Sequence, residues 1–269
     1  MRQLKKIYLE RELLWNLTLR ELRGKYRRSF LGWGWSMINP LSTVLIFSFV
    51  FNQLFQASPP VGDPSGLESY AIYLLVGLIP WSFFSLISSV GLGSVLGNPN
   101  LVRKVAFSKE ILVFAQVLFS FVQFSIEMGI VLAVVTIIGG SVWIWIPYTF
   151  VLMVLLAIFG AGFALALSVL VVYFRDMNYL WTICLQLIFY ATPIVYADTL
   201  VDERLSGPLR YVITHTPFAI FIKAFRHMLY DGRSPDLSMW GFMVGYATIF
   251  LAIGMFIFNK MSRRLPEEV

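Results

Sequence analysis

Six apolar runs punctuate the chain, at about 35–55, 70–96, 111–138, 142–174, 179–196 and 237–258. Each approaches or exceeds the roughly 20 residues that a helix needs to cross a bilayer core. The fourth is overlong and the fifth short. Between the fifth and sixth, residues 197–236 hold a further apolar stretch from Tyr211 to Tyr230, broken by Pro217 and carrying Lys223, Arg226, His215 and His227. Short, Pro-interrupted segments predict re-entrant half-helices between spans five and six, with a seventh crossing as the alternative. Ahead of the first run, residues 1–28 place Leu4, Ile7, Tyr8, Leu14, Trp15, Leu17 and Leu22 among charges at roughly helical spacing. That pattern predicts an amphipathic helix lying in the membrane interface. The expected fold class is all-α integral membrane: a cytoplasmic interfacial segment 1–28, then a single six-helix transmembrane domain 29–269.

Charge orients these elements. Residues 1–28 contain nine Lys/Arg against three Glu, which accounts for the whole formal charge of +6. The linker 97–110 carries Arg103, Lys104 and Lys109, the turn after span four carries Arg175, and the tail carries Lys260, Arg263 and Arg264. The linker 56–69 and the turn at Gly139-Gly140 carry no cation. Cations mark the cytoplasmic side, so six spans with both termini cytoplasmic fit every loop except 197–236. There five cations face five acids, so no preference for an anionic partner follows from the count.

Composition narrows the chemistry. The chain is 58% hydrophobic and 13% charged, against roughly 25% charged in soluble domains. One Cys and two His exclude a disulfide framework and argue against a Cys/His metal centre. The cations are confined to one end, which argues for an anionic leaflet and against nucleic acid as partner. Neither a phosphate loop nor a hydrolase or metalloprotease motif is present, so no catalytic residue is expected and any energy must come from another chain or an ion.

Within the spans, Gln116, Ser120, Gln123 and Glu127 recur on one face of the third. That stripe is either a conduit wall or an interhelical hydrogen-bond seam, with a paired or neutral Glu127 favoured. Ser82, Ser85, Ser89, Gly93 and Gly97 in span two, and Gly160, Ala164 and Ser168 in span four, read as close-packing surfaces. Phe47, Phe51 and Phe55 in span one, and Thr182, Gln186, Tyr190 and Pro193 in span five, form stripes that suit either core packing or stacking on sugar rings.

The segments RELRGKYRRSFLGWGWSMINPL (20–41), NPNLVRKVAFSKEIL (98–112), VVYFRDMNYL (171–180) and YATPIVY (190–196) together resemble the ABC type-2 permeases that export O-antigen, capsule and wall teichoic acid. The resemblance spans nearly the whole chain. It implies a homodimer of six-span subunits in the bacterial inner membrane, bound to two separate ABC ATPase subunits that hold ATP and Mg. The cargo it implies is a polysaccharide or teichoic-acid-like polymer on a polyprenyl diphosphate. On that basis Arg23, Lys25, Arg27 and Arg28, with Trp33 and Trp35, are expected at the substrate entrance, where cations pair with phosphate oxygens. Plain positive-inside anchoring is the competing role for these cations. Phe47, Phe51, Gln186 and Tyr190 are expected along the path, and Arg103, Lys104, Phe107, Lys109 and Glu110 in ATPase coupling. The alternatives are a permease for a smaller amphiphile and, further off, a membrane-embedded lipid- or glycan-processing enzyme.

Overall fold

A computed structural model describes residues 10–25, 34–54, 60–140, 142–197 and 207–262, together with Phe30, Gly32, Val201, Arg204 and Leu265. Arg27, Arg28, Trp33 and Phe55 lie outside the described residues. Every described regular element is a helix. We number the α-helices α1 (Arg11–Lys25), α2 (Gly34–Phe49, running on into a π-helical turn Val50–Leu54), α3 (Tyr70–Gly93), α4 (Pro99–Lys104), α5 (Glu110–Ile137), α6 (Ile146–Tyr173), α7 (Met177–Ala191), α8 (Pro208–His215), α9 (Pro217–Arg226, followed by a π-helical turn His227–Asp231) and α10 (Leu237–Met261).

Each of the six apolar runs holds a helix, but the fifth, expected to reach 196, stops at Ala191. Among the described residues, four helices are long and apolar enough to cross a membrane: α3, α5, α6 with its preceding turn Trp143–Trp145, and α10. α2 has 16 helical residues before its π-helical turn and α7 has 15, both short of a full crossing in regular α-helix. α7 stops for a local reason. Thr192 precedes Pro193 and sits extended at φ −97°, ψ 137°, the region to which a following proline drives its neighbour. Pro217 likewise starts α9 at N1, behind Thr216, whose hydroxyl accepts from Ala219 N at 3.2 Å, a favourable pair at a helix start.

α3, α6 and α10 form the densest packing, with α5 beside α3. Small residues allow the close approach. A Cβ on Gly91 would collide with Ala164, one on Gly160 would meet Ile87 Cγ2 at 2.7 Å, and Gly162 and Gly254 press backbone against backbone between α6 and α10. The small-residue expectation therefore holds for α6, but on α3 the contact is made by Ile87 and Gly91. A Cβ on Gly93 would meet nothing within 4 Å, and one on Gly97 only the chain's own Gly93 O.

α9 is buried along most of its length. Phe218 at its start packs edge-on against Trp81, Phe84 and Phe159. Tyr230 just past its end packs on Tyr73, accepts from Ser69 N at 3.2 Å and donates to Pro60 O at 2.5 Å. At 1.5 Å per residue, Trp81 and Phe84 lie roughly 16–21 Å along α3 from Tyr70. α9 thus runs from the middle of the bundle to the end where loop 60–69 sits.

Candidate functional site

The basic N-terminal helix and the basic linker after α3, separate in sequence, meet in the fold. Ser108 N donates to Glu10 Oε2 at 3.0 Å, and Arg20 Nη2 donates to Asn98 Oδ1 at 2.9 Å while also holding Glu21. Asn98 stands at the start of α4 and, through Nδ2, ties back to Ser94 O at 2.9 Å. α1 packs along α5, with Leu17 and Thr18 buried. From Glu10 at Ser108 to Lys25 at Gln123, α1 climbs beside the first half of α5.

At the top of that climb Lys25 donates to Gln123 Oε1, Gln123 Nε2 donates to Glu127 Oε1 at 2.8 Å, and the ammonium lies 5.1 Å from the Phe119 ring centroid. An ammonium and a carboxylate are thus joined through one amide. Glu127 is 3% exposed, and a lone carboxylate at such a place is costly. Burial pulls the Lys25 pKa below its ordinary value and the Glu127 charge opposes the shift. Of the stripe on α5, Gln123 and Glu127 are brought together, whereas the buried Ser120 Oγ has no hydrogen-bond partner among the described residues.

The remaining entrance residues are surface groups. Arg23 lines an open hollow with Asn16, Leu19, Arg20 and Gly24, and Trp35 is half exposed. In the coupling segment Arg103 and Lys104 are exposed at the end of α4. Lys109 and Glu110 are half-buried where α5 begins, and burial lowers the Lys109 pKa against the opposing charge of Glu110. Phe107 is half-buried against the protein's own core, so the outward face of this segment is Arg103, Lys104 and Val105.

The path residues fall into two groups that the fold holds apart. Phe47 and Phe51 begin a ladder of rings: Phe51 stacks on Tyr70 at 4.9 Å, Tyr70 neighbours Tyr73 at 6.2 Å, and Tyr73 meets Tyr230 edge-on at 5.4 Å. Gln186 and Tyr190 are exposed on α7, whose only buried residue is Trp181, anchored by Nε1 donating to Ser88 Oγ at 3.1 Å. α2 packs on α3 and α7 packs on α3 and α6.

Arg226 was not anticipated in any role. It is 4% exposed, donates to Pro193 O and Ile194 O at 2.6 Å each, and lies 3.7 Å from the Tyr73 ring centroid. It therefore caps the broken end of α7 and binds that end to α9. The hint in the sequence was a cation inside an apolar run that also carries a proline.

Comparison with known proteins gives a consistent picture. The profile of the ABC-2 type transporter family matches residues 12–230. The O-antigen export system permease protein RfbA of Klebsiella pneumoniae is 28% identical over 262 residues, covering 95% of this chain and 94% of that protein. The protein of the same name from Myxococcus xanthus is 24% identical over the full length of both. The polysialic acid transport protein KpsM of Escherichia coli is 23% identical over 94% of this chain and 93% of its own.

Proposed function

The chain belongs to the ABC-2 type transporter family, and from that premise we propose that it is the transmembrane subunit of an ATP-driven polysaccharide exporter. Its cargo is a polyprenyl-diphosphate-linked glycan or teichoic-acid-like polymer, moved across the bacterial cytoplasmic membrane. The observation that carries this reading is end-to-end similarity to permeases named for O-antigen export and polysialic acid transport. Similarity over the whole length, rather than over one module, is what a shared transport task leaves behind.

Two copies of this chain form the conduit and two ABC ATPase subunits, holding ATP and Mg, drive it. The chain itself supplies no nucleotide chemistry. Each copy crosses six times with both termini cytoplasmic, α2 and α7 included, and α8–α9 form the re-entrant pair on the outer side. What supports the pair is the course of α9 from mid-bundle to the level of loop 60–69, a loop without cations. ATPase coupling falls to α4 and the segment up to Glu110, braced by Glu10 and Arg20, with Arg103 and Lys104 facing outward. The headgroup enters beside α1, where Arg20 and Arg23 share a hollow and arginine forks match phosphate oxygens. An exposed amide in mid-helix is costly against lipid, so Gln186 and Tyr190 face the conduit in the assembled dimer.

The test is purification of the chain with the ATPase encoded beside it, followed by ATP turnover in proteoliposomes with lipid-linked glycans. Several-fold stimulation by a polyprenyl-diphosphate-linked glycan is expected. Stimulation by small drugs or simple lipids alone, or nucleotide turnover by the isolated permease, would overturn the proposal.

A further inference from the structure

α1 and α5 are tied at two places with the same spacing on both helices. Glu10 meets Ser108 and Lys25 meets Gln123, each pair 98 positions apart. The helices therefore run side by side, in the same direction and in step, for about 22 Å. Leu17 and Thr18 are buried between the two ties. The lower tie belongs to the basic linker ahead of α5. The upper one lies about 20 Å along α5, deep within an apolar span.

The upper tie has a chemistry that packing alone would not require. Glu127 is buried one turn beyond Gln123, and the Gln123 amide uses its two ends to join this carboxylate to the Lys25 ammonium. Lys25 is also the cation whose charge acts on Glu127. Linked charges at such depth contribute little net stability over apolar packing, and their best-attested use is to fix register. On α1 itself Lys25 lies about 200° around the helix from Arg23. Arg20 and Arg23 line the hollow beside α1, whereas Lys25 is not on its wall.

We propose that Lys25 is a positioning residue for export and not a ligand of the lipid headgroup. Joined to Glu127 through Gln123, it fixes the register of α1 on α5 and so sets the direction in which the Arg20–Arg23 hollow faces. The role of the hollow rests on the exporter reading. Removing the ammonium alone leaves a buried carboxylate without its counter-ion, the costly half of such a pair. Removing both charges leaves neutral groups that the site can hold. A defect in Lys25→Met therefore belongs to the pair, and neutralising Glu127 should repair it.

The full-length permease, assembled with the ATPase encoded beside it, is placed in nanodiscs in a Cys184→Ser background. Spin labels are attached through Trp15→Cys on α1 and Ile126→Cys on α5, both exposed positions. Without substrate, the parent should give one narrow distance distribution and Lys25→Met a longer, broader one. The Lys25→Met/Glu127→Gln variant should return to the parent's distribution. In ATP turnover, Lys25→Met should raise the KM for a polyprenyl-diphosphate-linked glycan roughly fivefold at nearly unchanged maximal rate, again repaired in the double variant. A KM defect that persists in the double variant makes Lys25 a headgroup ligand and overturns the proposal. Parent-like distances and KM in Lys25→Met overturn it too, as does a loss of maximal rate alone, the mark of a purely structural seam. Should Lys25→Met fail to assemble, addition of Glu127→Gln is expected to recover the complex, and no recovery refutes the pairing. The distances are read without substrate, so a parent that no glycan stimulates would fail the exporter reading and leave the register result standing.

Discussion

At the residue scale, the least replaceable side chain is Arg226. Its guanidinium satisfies two carbonyls that the proline break at 193 leaves without helical partners, and it fills space that a Cβ on Gly77 would enter, 3.0 Å from Nη2. Arg226→Ala should cost about 3 kcal/mol, since it strands buried acceptors, read as a lower unfolding midpoint of the permease in micelles. Arg226→Lys should not restore stability, because one ammonium cannot serve both carbonyls and lie flat on Tyr73. His227 gives a pH signature. Burial, reinforced by the Arg233 and Lys223 charges, pushes its pKa from 6.5 down to about 4, with Asp236 opposing. Held neutral in the fold, the ring takes up a proton on unfolding throughout that window. The unfolded state then binds more protons, and stability falls as the pH drops from about 6.5 towards 4. Asp231, whose pKa burial pushes upward, acts in the opposite sense at the acid end. The expected outcome is a fall in melting temperature from about pH 7 to about pH 5 that is smaller in His227→Gln.

At the scale of elements, glycine decides how closely α6 and α10 can lie. Gly162→Val drives a branched side chain into the backbone of Phe250 and Leu251 and should cost about 2–3 kcal/mol by overpacking. Gly93→Ala should be neutral or stabilising by a few tenths of a kcal/mol, because the new methyl meets nothing within 4 Å and glycine is a poor helix former. Thermal melts of the two variants side by side check both. α1 and the linker 97–110 illustrate coupling between elements: hydrogen bonds at Glu10 and Arg20 make one body of the two basic segments. The linker is thereby tied to α1 and, through Lys25, α1 is tied to Gln123 and Glu127 halfway along α5.

At the scale of the whole molecule, the most telling surface is the exposed side of α7. Gln186 and Tyr190 lie on one face and the chain's single cysteine, Cys184, lies about 200° around the helix from Gln186. In a dimer whose conduit is lined by α7, Gln186→Cys in a Cys184→Ser background should react with a water-soluble methanethiosulfonate reagent in the assembled exporter. Cys184 in the parent should react far more slowly. Equal rates would place α7 away from the conduit.

Bilayer physics made much of this chain readable in one dimension. A helix in hydrocarbon needs a continuous apolar run, so a helix could be located at each of the six runs, and the break at Pro217 follows from backbone chemistry within a residue or two; apolarity alone carries the fifth run on to 196, whereas its helix stops at Ala191, ahead of Pro193. The family signature is likewise linear. Pairing is not. Lys25 and Gln123 meet across 98 positions, and only the packing of α1 on α5 turns a cation and a costly carboxylate into one linked group. Periodicity reports the face a residue shares with its own neighbours, whereas the partner of that face is settled by how helices distant in the chain pack in space.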